Sequence, residues 1–339
     1  MSKPKHILVI RLSAMGDVAM TVPVLRLFVK QYPNVKLTVV TKAFFKPLFR
    51  DIPHISVVTA DIKGKHKGIL GLYKLSKLLK KTGFDGVADL HNVLRSNILK
   101  FFFFGKKVVQ IDKGRAEKKA LTSGKLFQQL KTTHQRYADV FEHLGYPIDL
   151  SNPIVPKPSK LNTKSVQVIG DDSTPLIGIA PFAAFKGKTY PLSQMQTVIE
   201  KLSKEYKVVL FGAQGTEANQ LEDIANKNKN VINLAGKLSL HDELDVISNL
   251  RLMISMDSGN AHLAAMQGVK VLTIWGITHP YAGFYPFYQD ETNALLADRT
   301  TFSKIPTSIY GNVLPDGYEE VFSTILPKDI LEKVKSILK

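Results

Sequence analysis

Cysteine is absent from the 339 residues, so neither a disulfide framework nor a thiolate nucleophile or metal ligand is available. The nine histidines never fall at H-x-x-x-H spacing, which argues against a zinc site. There is no Walker A sequence and no D-x-D triplet, which argues against a P-loop and against one common metal bridge to a diphosphate. No G-x-S-x-G marks a hydrolase nucleophile. The apolar run after Lys5 covers only residues 7–10, so no secretory leader is expected. The longest stretch free of Asp, Glu, Lys and Arg, 271–289, is broken by Gly276, Pro280, Gly283 and Pro286, so it is not expected to span a membrane. A chain with 44% hydrophobic residues and no such segment reads as soluble and globular.

Positive charge is present in excess, and unevenly. Residues 1–165 hold 30 Lys and Arg against 10 Asp and Glu, whereas the remainder holds 16 against 19. The first half is therefore expected to face something polyanionic: nucleic acid, an anionic membrane surface or a phosphorylated substrate. Length alone predicts two domains.

Apolar runs and amphipathic stretches alternate through both halves, which predicts two parallel-sheet α/β domains. Residues 6–11 read as a strand, 13–17 as a tight turn, 18–31 as a helix and 36–41 as a strand. Only Gly16 is present at the turn, so the dinucleotide fingerprint is missing. Residues 133–144 read as a helix closed by Gly145. The Pro- and Lys-rich stretch 151–175 reads as the junction, with 165–169 a further strand. Four consecutive Phe at 101–104 are consistent with core or with a patch against a membrane.

In the second half, three loops at predicted strand ends share one rim: 185–189, 212–217 and 256–262. Lys186 and Lys188 suit phosphate oxygens, and Glu217 suits ribose hydroxyls. Leu252–Met256 runs into Asp257-Ser258-Gly259, where a strand gives way to a helix. Ser258 is a natural N-cap, Gly259 admits a ligand close to the backbone, and His262 lies one turn further in. A capped structural turn and a diphosphate site both fit these residues. Asp17 likewise fits either a helix-dipole role or a carboxylate at the carboxyl end of the first strand.

Several stretches, in order, resemble glycosyltransferase family 9, the heptosyltransferases of lipopolysaccharide core synthesis. They are ILVIRLSAMGDVAMTVP, KTYP at 188–191, FGAQGTEAN, MDSGNAHLAAMQG and ILPKDILEKV. The resemblance implies a GT-B fold, two Rossmann-like parallel-sheet domains facing across a cleft. It implies an acceptor domain over 1–165, a nucleotide-sugar domain over 166–326, and a terminal helix over 327–339 packing back toward the first domain. It implies inverting transfer of heptose from ADP-heptose to the inner core (Kdo or heptose), with Asp17 as general base and no metal or other cofactor. Donor contacts are expected from Lys186, Lys188, Thr189, Glu217, Asp257, Ser258, Gly259 and His262. Acceptor contacts are expected from Arg11, Ser13, Gly16, His91, Arg95 and Arg115. The implied partners are the nucleotide-sugar and the anionic lipopolysaccharide core precursor, at the cytoplasmic face of the inner membrane, peripherally, with no nucleic acid.

Two departures stand out. Ala183, Ala184 and Phe185 occupy places where the family can carry hydroxyl residues, which moves phosphate contacts toward Lys186 or Thr189. His91 stands where a Gln is familiar, which points to a different acceptor. Another GT-B enzyme, with a different nucleotide-sugar or acceptor, fits most of the same residues. A nucleic-acid-binding protein would explain the basic half, but no recognisable binding motif supports it.

Overall fold

A computed structural model describes residues 3–339, which divide into two compact units. The first is the part through Lys113 with Lys131–Ile154, and the second is Gly114–Leu130 with Val155–Lys339.

The first unit holds β1 (His6–Ile10), α1 (Met15–Ala19), α2 (Thr21–Gln31), β2 (Lys36–Thr41), β3 (Ile55–Thr59), α3 (Gly68–Lys80), β4 (Gly86–Asp89), α4 (Leu94–Phe101) and β5 (Lys107–Gln110). After α5 (Arg115–Thr122), which groups with the second unit, α6 (Thr133–Leu144) completes it. All five strands are parallel, in the order β3-β2-β1-β4-β5. Helices on both faces bury a central strand completely, which is why Ile7–Ile10 is a continuous apolar run rather than an alternating one. The helix expected over 18–31 begins earlier and is interrupted at Met20. Pro23 lacks an N–H for the Ala19 carbonyl and its ring crowds it, so the chain forms two helices instead of one. Helix α6 has the expected bounds. Thr132 accepts from the Gln135 N–H and Gln135 returns the bond to the Thr132 N–H, while Gly145 closes the other end at φ 104°.

The second unit continues with α7 (Thr163–Ile169), β6 (Leu176–Ala180), α8 (Leu192–Leu202), β7 (Lys207–Leu210), α9 (Thr216–Ala225), β8 (Val231–Asn233), α10 (Leu240–Ser248), β9 (Leu252–Met256), α11 (Gly259–Met266), β10 (Lys270–Trp275), β11 (Ala294–Leu296) and α12 (Pro327–Leu338). Its six strands are parallel, in the order β11-β10-β9-β6-β7-β8. The strand expected at 165–169 is helical. The Asn162 side chain accepts from the Ser165 N–H at 2.8 Å and nucleates α7, and Gly170 ends it at φ 81°.

The expected boundary at 165 falls inside α7, and the change of unit comes at 154–155. Residues 114–130 also belong with the second unit. Leu121 and Leu130 pack around Ala282, the Leu130 N–H reaches the Tyr281 carbonyl at 3.0 Å, and Arg299 lies 3.3 Å over the Phe127 ring. The closing helix α12 was expected to turn toward the first domain. Within the second unit it buries Ile330, Val334 and Ile337 in the core beside α8, which its apolar stripe at i, i+4 and i+7 suits.

Candidate active site

In each sheet the chain order reverses beside the first strand, between β1 and β4 in one unit and between β6 and β9 in the other. Open parallel sheets bind ligands at such points, just beyond the carboxyl ends of the strands. Arg11, His91 and Asp257 follow strands there, and the other residues singled out in the sequence lie on the loops and helices beyond.

In the first unit, β1 ends at Ile10 and Arg11 follows, buried. The Arg11 guanidinium meets the Asp17 carboxylate at 2.5 Å and donates to the Leu90 carbonyl at 2.6 Å, just past β4. Asp17 also accepts the Ala14 N–H at 3.2 Å, so its carboxylate is fixed at the first turn of α1 with its side chain 29% exposed. This geometry serves the helix start and also leaves one carboxylate reachable by a ligand. Tyr137 of α6 supports the loop: its hydroxyl donates to the Asp17 carbonyl at 3.2 Å, and Arg11 lies over its ring at 5.9 Å. No local pattern marked Tyr137, because it reaches this loop from more than a hundred residues away.

His91 follows β4 and is buried. Burial first, and then the Arg11 charge, lower its imidazole from 6.5 to about 4. It is held in place from below by Asp89, whose fully buried carboxylate accepts from the His91 and Asn92 N–H groups and from the Ser96 hydroxyl, and pairs with Lys100 at 2.8 Å. Ser13, Gly16 and Arg95 are partly exposed in the same unit. Arg115, expected with them, lies on α5 in the second unit.

The depressed His91 value carries a sign. Between pH 6.5 and about 4 the unfolded histidine is protonated and the native one is not, so stability rises with pH through that window and is lost as pH falls. His91→Gln is expected to remove part of that slope. Thermal unfolding of the two proteins from pH 7 to pH 4 measures it, and parallel curves would count against the buried neutral imidazole.

In the second unit the loop after β6 contains a single helical turn at Lys186–Lys188. Lys188 Nζ meets Asp257, at the end of β9, at 2.8 Å, and their side chains are 13% and 10% exposed. The Thr278 hydroxyl donates to the same carboxylate oxygen at 2.9 Å. Thr278 follows β10, so three strand ends converge here, and Thr278 carried no signal of its own in the sequence. The loops touch at their backbones: the Ile277 N–H donates to the Gly187 carbonyl at 3.0 Å. A Cβ on Gly276 would lie 2.3 Å from that carbonyl oxygen, so only glycine fits.

Lys186 is exposed on the same turn. The Thr189 hydroxyl is spent on its own loop, donating to the Phe185 carbonyl at 3.2 Å and accepting from the Ala183 N–H. Glu217, expected on the loop after β7, sits in the first turn of α9, where its carboxylate accepts the Ala213 N–H at 2.7 Å. Ser258 has the extended backbone of an N-cap before Gly259, but its hydroxyl bonds to Ser255 Oγ at 3.1 Å rather than to a helix amide. The expected side-chain cap is therefore not made, because the neighbouring buried serine claims that hydroxyl. His262 is buried one turn into α11. A paired lysine, the start of α11 and a carboxylate in the first turn of α9 suit an anionic, hydroxylated ligand.

Comparison with known proteins agrees. Residues 72–308 match the model of glycosyltransferase family 9 (heptosyltransferase). Lipooligosaccharide heptosyltransferase 2 of Haemophilus influenzae is 27% identical, over 98% of this chain and 99% of its own. Among solved structures, a glycosyl transferase of family 9 from Veillonella parvula superposes with a TM-score of 0.77 at 21% identity, covering 98% of this chain and 97% of that one. Escherichia coli ADP-heptose lps heptosyltransferase II superposes with a TM-score of 0.71 at 20% identity, over 98% of each. The two parallel-sheet units are those of the GT-B fold. The chain belongs to glycosyltransferase family 9, the heptosyltransferases.

Proposed function

We propose that this enzyme transfers heptose from ADP-heptose, with inversion, to the inner core (Kdo or heptose) of a lipopolysaccharide precursor. The observation that carries the reading is the matched pair of strand-end sites: a carboxylate held by Arg11 in one unit, and Lys188 held by Asp257 in the other. The relatives support the substrates, since the H. influenzae protein is named a lipooligosaccharide heptosyltransferase and the E. coli structure an ADP-heptose enzyme.

Asp17 takes the proton from the acceptor hydroxyl as that oxygen attacks the anomeric carbon. The bond from that carbon to the diphosphate breaks, and the negative charge passes to ADP. Lys188, Lys186 and the amides at the start of α11 stabilise that charge, and Glu217 holds the ribose. Gly259 lets the diphosphate approach the backbone, while Asp257, Ser258, Thr189 and His262 shape the loops around it. On the acceptor side Arg11, Ser13, Gly16, His91 and Arg95 line the strand ends. Arg115 is a further acceptor contact in this reading. No metal or further cofactor enters the scheme, and the reaction takes place peripherally at the cytoplasmic face of the inner membrane.

A donor panel tests the reading. With a core-deficient acceptor, ADP-heptose should support transfer and UDP- and GDP-sugars should not. Turnover with a UDP- or GDP-sugar instead would give the chain to another donor and acceptor within the same fold.

A further inference from the structure

The four-phenylalanine run has a place in the fold that transfer does not use. Helix α3 turns Leu72, Leu75 and Leu79 into the first unit's core, and Phe103 joins them at 1% exposure with its ring 4.9 Å from Phe84. Its neighbours go the other way: Phe101 is 82% exposed and Phe104 99%. On the outer side of α3, Leu70 is 78% exposed and Lys74 and Lys77 stand in solvent beside it. Helical spacing puts residues 70, 74 and 77 on one face. The two parts form one surface, because Tyr73 of α3 meets the Phe102 ring at 5.4 Å, Phe102 meets Phe101 at 6.0 Å, and Lys77 lies 4.6 Å over Tyr73.

Charge on this surface has one sign. No Asp or Glu occurs between Asp61 and Asp85, which includes all of α3, or between Asp89 and Asp112, which includes α4 and the phenylalanine run. We propose that the outer face of α3 and the turn after α4 dock the enzyme on an anionic phospholipid bilayer, with Phe101 and Phe104 entering the interface and the lysines meeting the headgroups. A second copy of this chain would bring lysine against lysine. A nucleic acid would have little use for the exposed Leu70 and Ile69. A bilayer accepts both features, since aromatic and aliphatic side chains bury in the interfacial layer while lysines remain at the anionic headgroups. The inference rests on the membrane placement proposed above and names the face that achieves it.

Sedimentation of the full-length protein with vesicles of phosphatidylglycerol and phosphatidylethanolamine, or of phosphatidylcholine alone, tests this without sugar substrates. Binding is expected to be at least about tenfold stronger to the anionic vesicles and to fall with salt. F101S together with F104S should weaken it by about tenfold, with an unchanged unfolding midpoint because neither ring supports the core. K74E together with K77E should weaken it by at least about tenfold and remove most of the salt dependence. Unchanged binding by the F101S/F104S protein, equal binding to phosphatidylcholine, or a face that retards RNA in a gel but leaves vesicles in the supernatant would overturn the proposal. Transfer from ADP-heptose to an acceptor in solution, measured separately on the same proteins, reports on the enzymatic reading alone. Loss of vesicle binding with transfer intact separates the two.

Discussion

Asp17→Asn is expected to lower turnover by about 100- to 10,000-fold, the usual worth of a positioned general base, while ADP affinity stays within about twofold of the parent because the proposed donor contacts and the proposed base belong to different units. Asparagine keeps the size of the side chain and an oxygen for the Ala14 N–H and for Arg11, so α1 keeps its start. What it loses is the negative charge and the ability to take a proton. Arg11 bears on this as well. Its guanidinium holds Asp17 in a single orientation, and its loss should lower turnover more than it changes ADP affinity, as expected of a residue that positions the base. Turnover at the pH optimum and ADP titration calorimetry on the same preparations separate chemistry from binding. A variant that turns over normally would remove Asp17 as the base, and one that loses ADP binding as well would indicate a damaged fold.

The strand–helix alternation was legible because fully buried parallel strands are written as short apolar runs, such as 7–10 and 252–256, set between amphipathic helices. Helix α6 was legible to the residue because both of its ends are set by local chemistry, Thr132 with Gln135 and Gly145. Where local chemistry was misread, the element was wrong. V-Q-V-I at 166–169 looks like a strand until Asn162 is seen as a cap, and 18–31 looks like one helix until Pro23 is set against the Ala19 carbonyl. Strand order was not legible, since nothing along the chain says which neighbour a strand will take. The candidate residues at the strand ends were picked by residue type, but their structural partners were not. Thr278 reaches Asp257 from the next strand, Tyr137 reaches Asp17 from α6, and residues 114–130 leave the basic half to pack around Ala282. The phenylalanine run splits, with Phe103 in the core and Phe101 and Phe104 exposed, as the phase of the turn at the end of α4 requires.

Lys188→Ala is expected to affect both stability and donor binding, and the two can be separated. Removing the ammonium leaves the Asp257 carboxylate, almost entirely out of solvent, with the Thr278 hydroxyl as its remaining side-chain contact at this junction. Breaking one side of a buried pair costs roughly 3–5 kcal/mol, because the surviving charge is left uncompensated, and for a unit of this size that corresponds to a fall of roughly 6–20 °C in unfolding midpoint. ADP affinity should fall as well, by about tenfold or more, since a charge-assisted bond to phosphate contributes roughly 1.5–3 kcal/mol. Adding Asp257→Asn to Lys188→Ala should return most of the stability, because the stranded charge is gone and Thr278 can still donate to the amide oxygen. It should return none of the ADP affinity, because no cation has been restored. Differential scanning calorimetry and ADP titration on the two single variants and the double variant complete the cycle. If the double variant recovers stability and ADP binding together, the lysine serves the fold alone and the diphosphate is held elsewhere. If stability recovers and binding does not, Asp257 acts to hold Lys188 where the leaving group needs it.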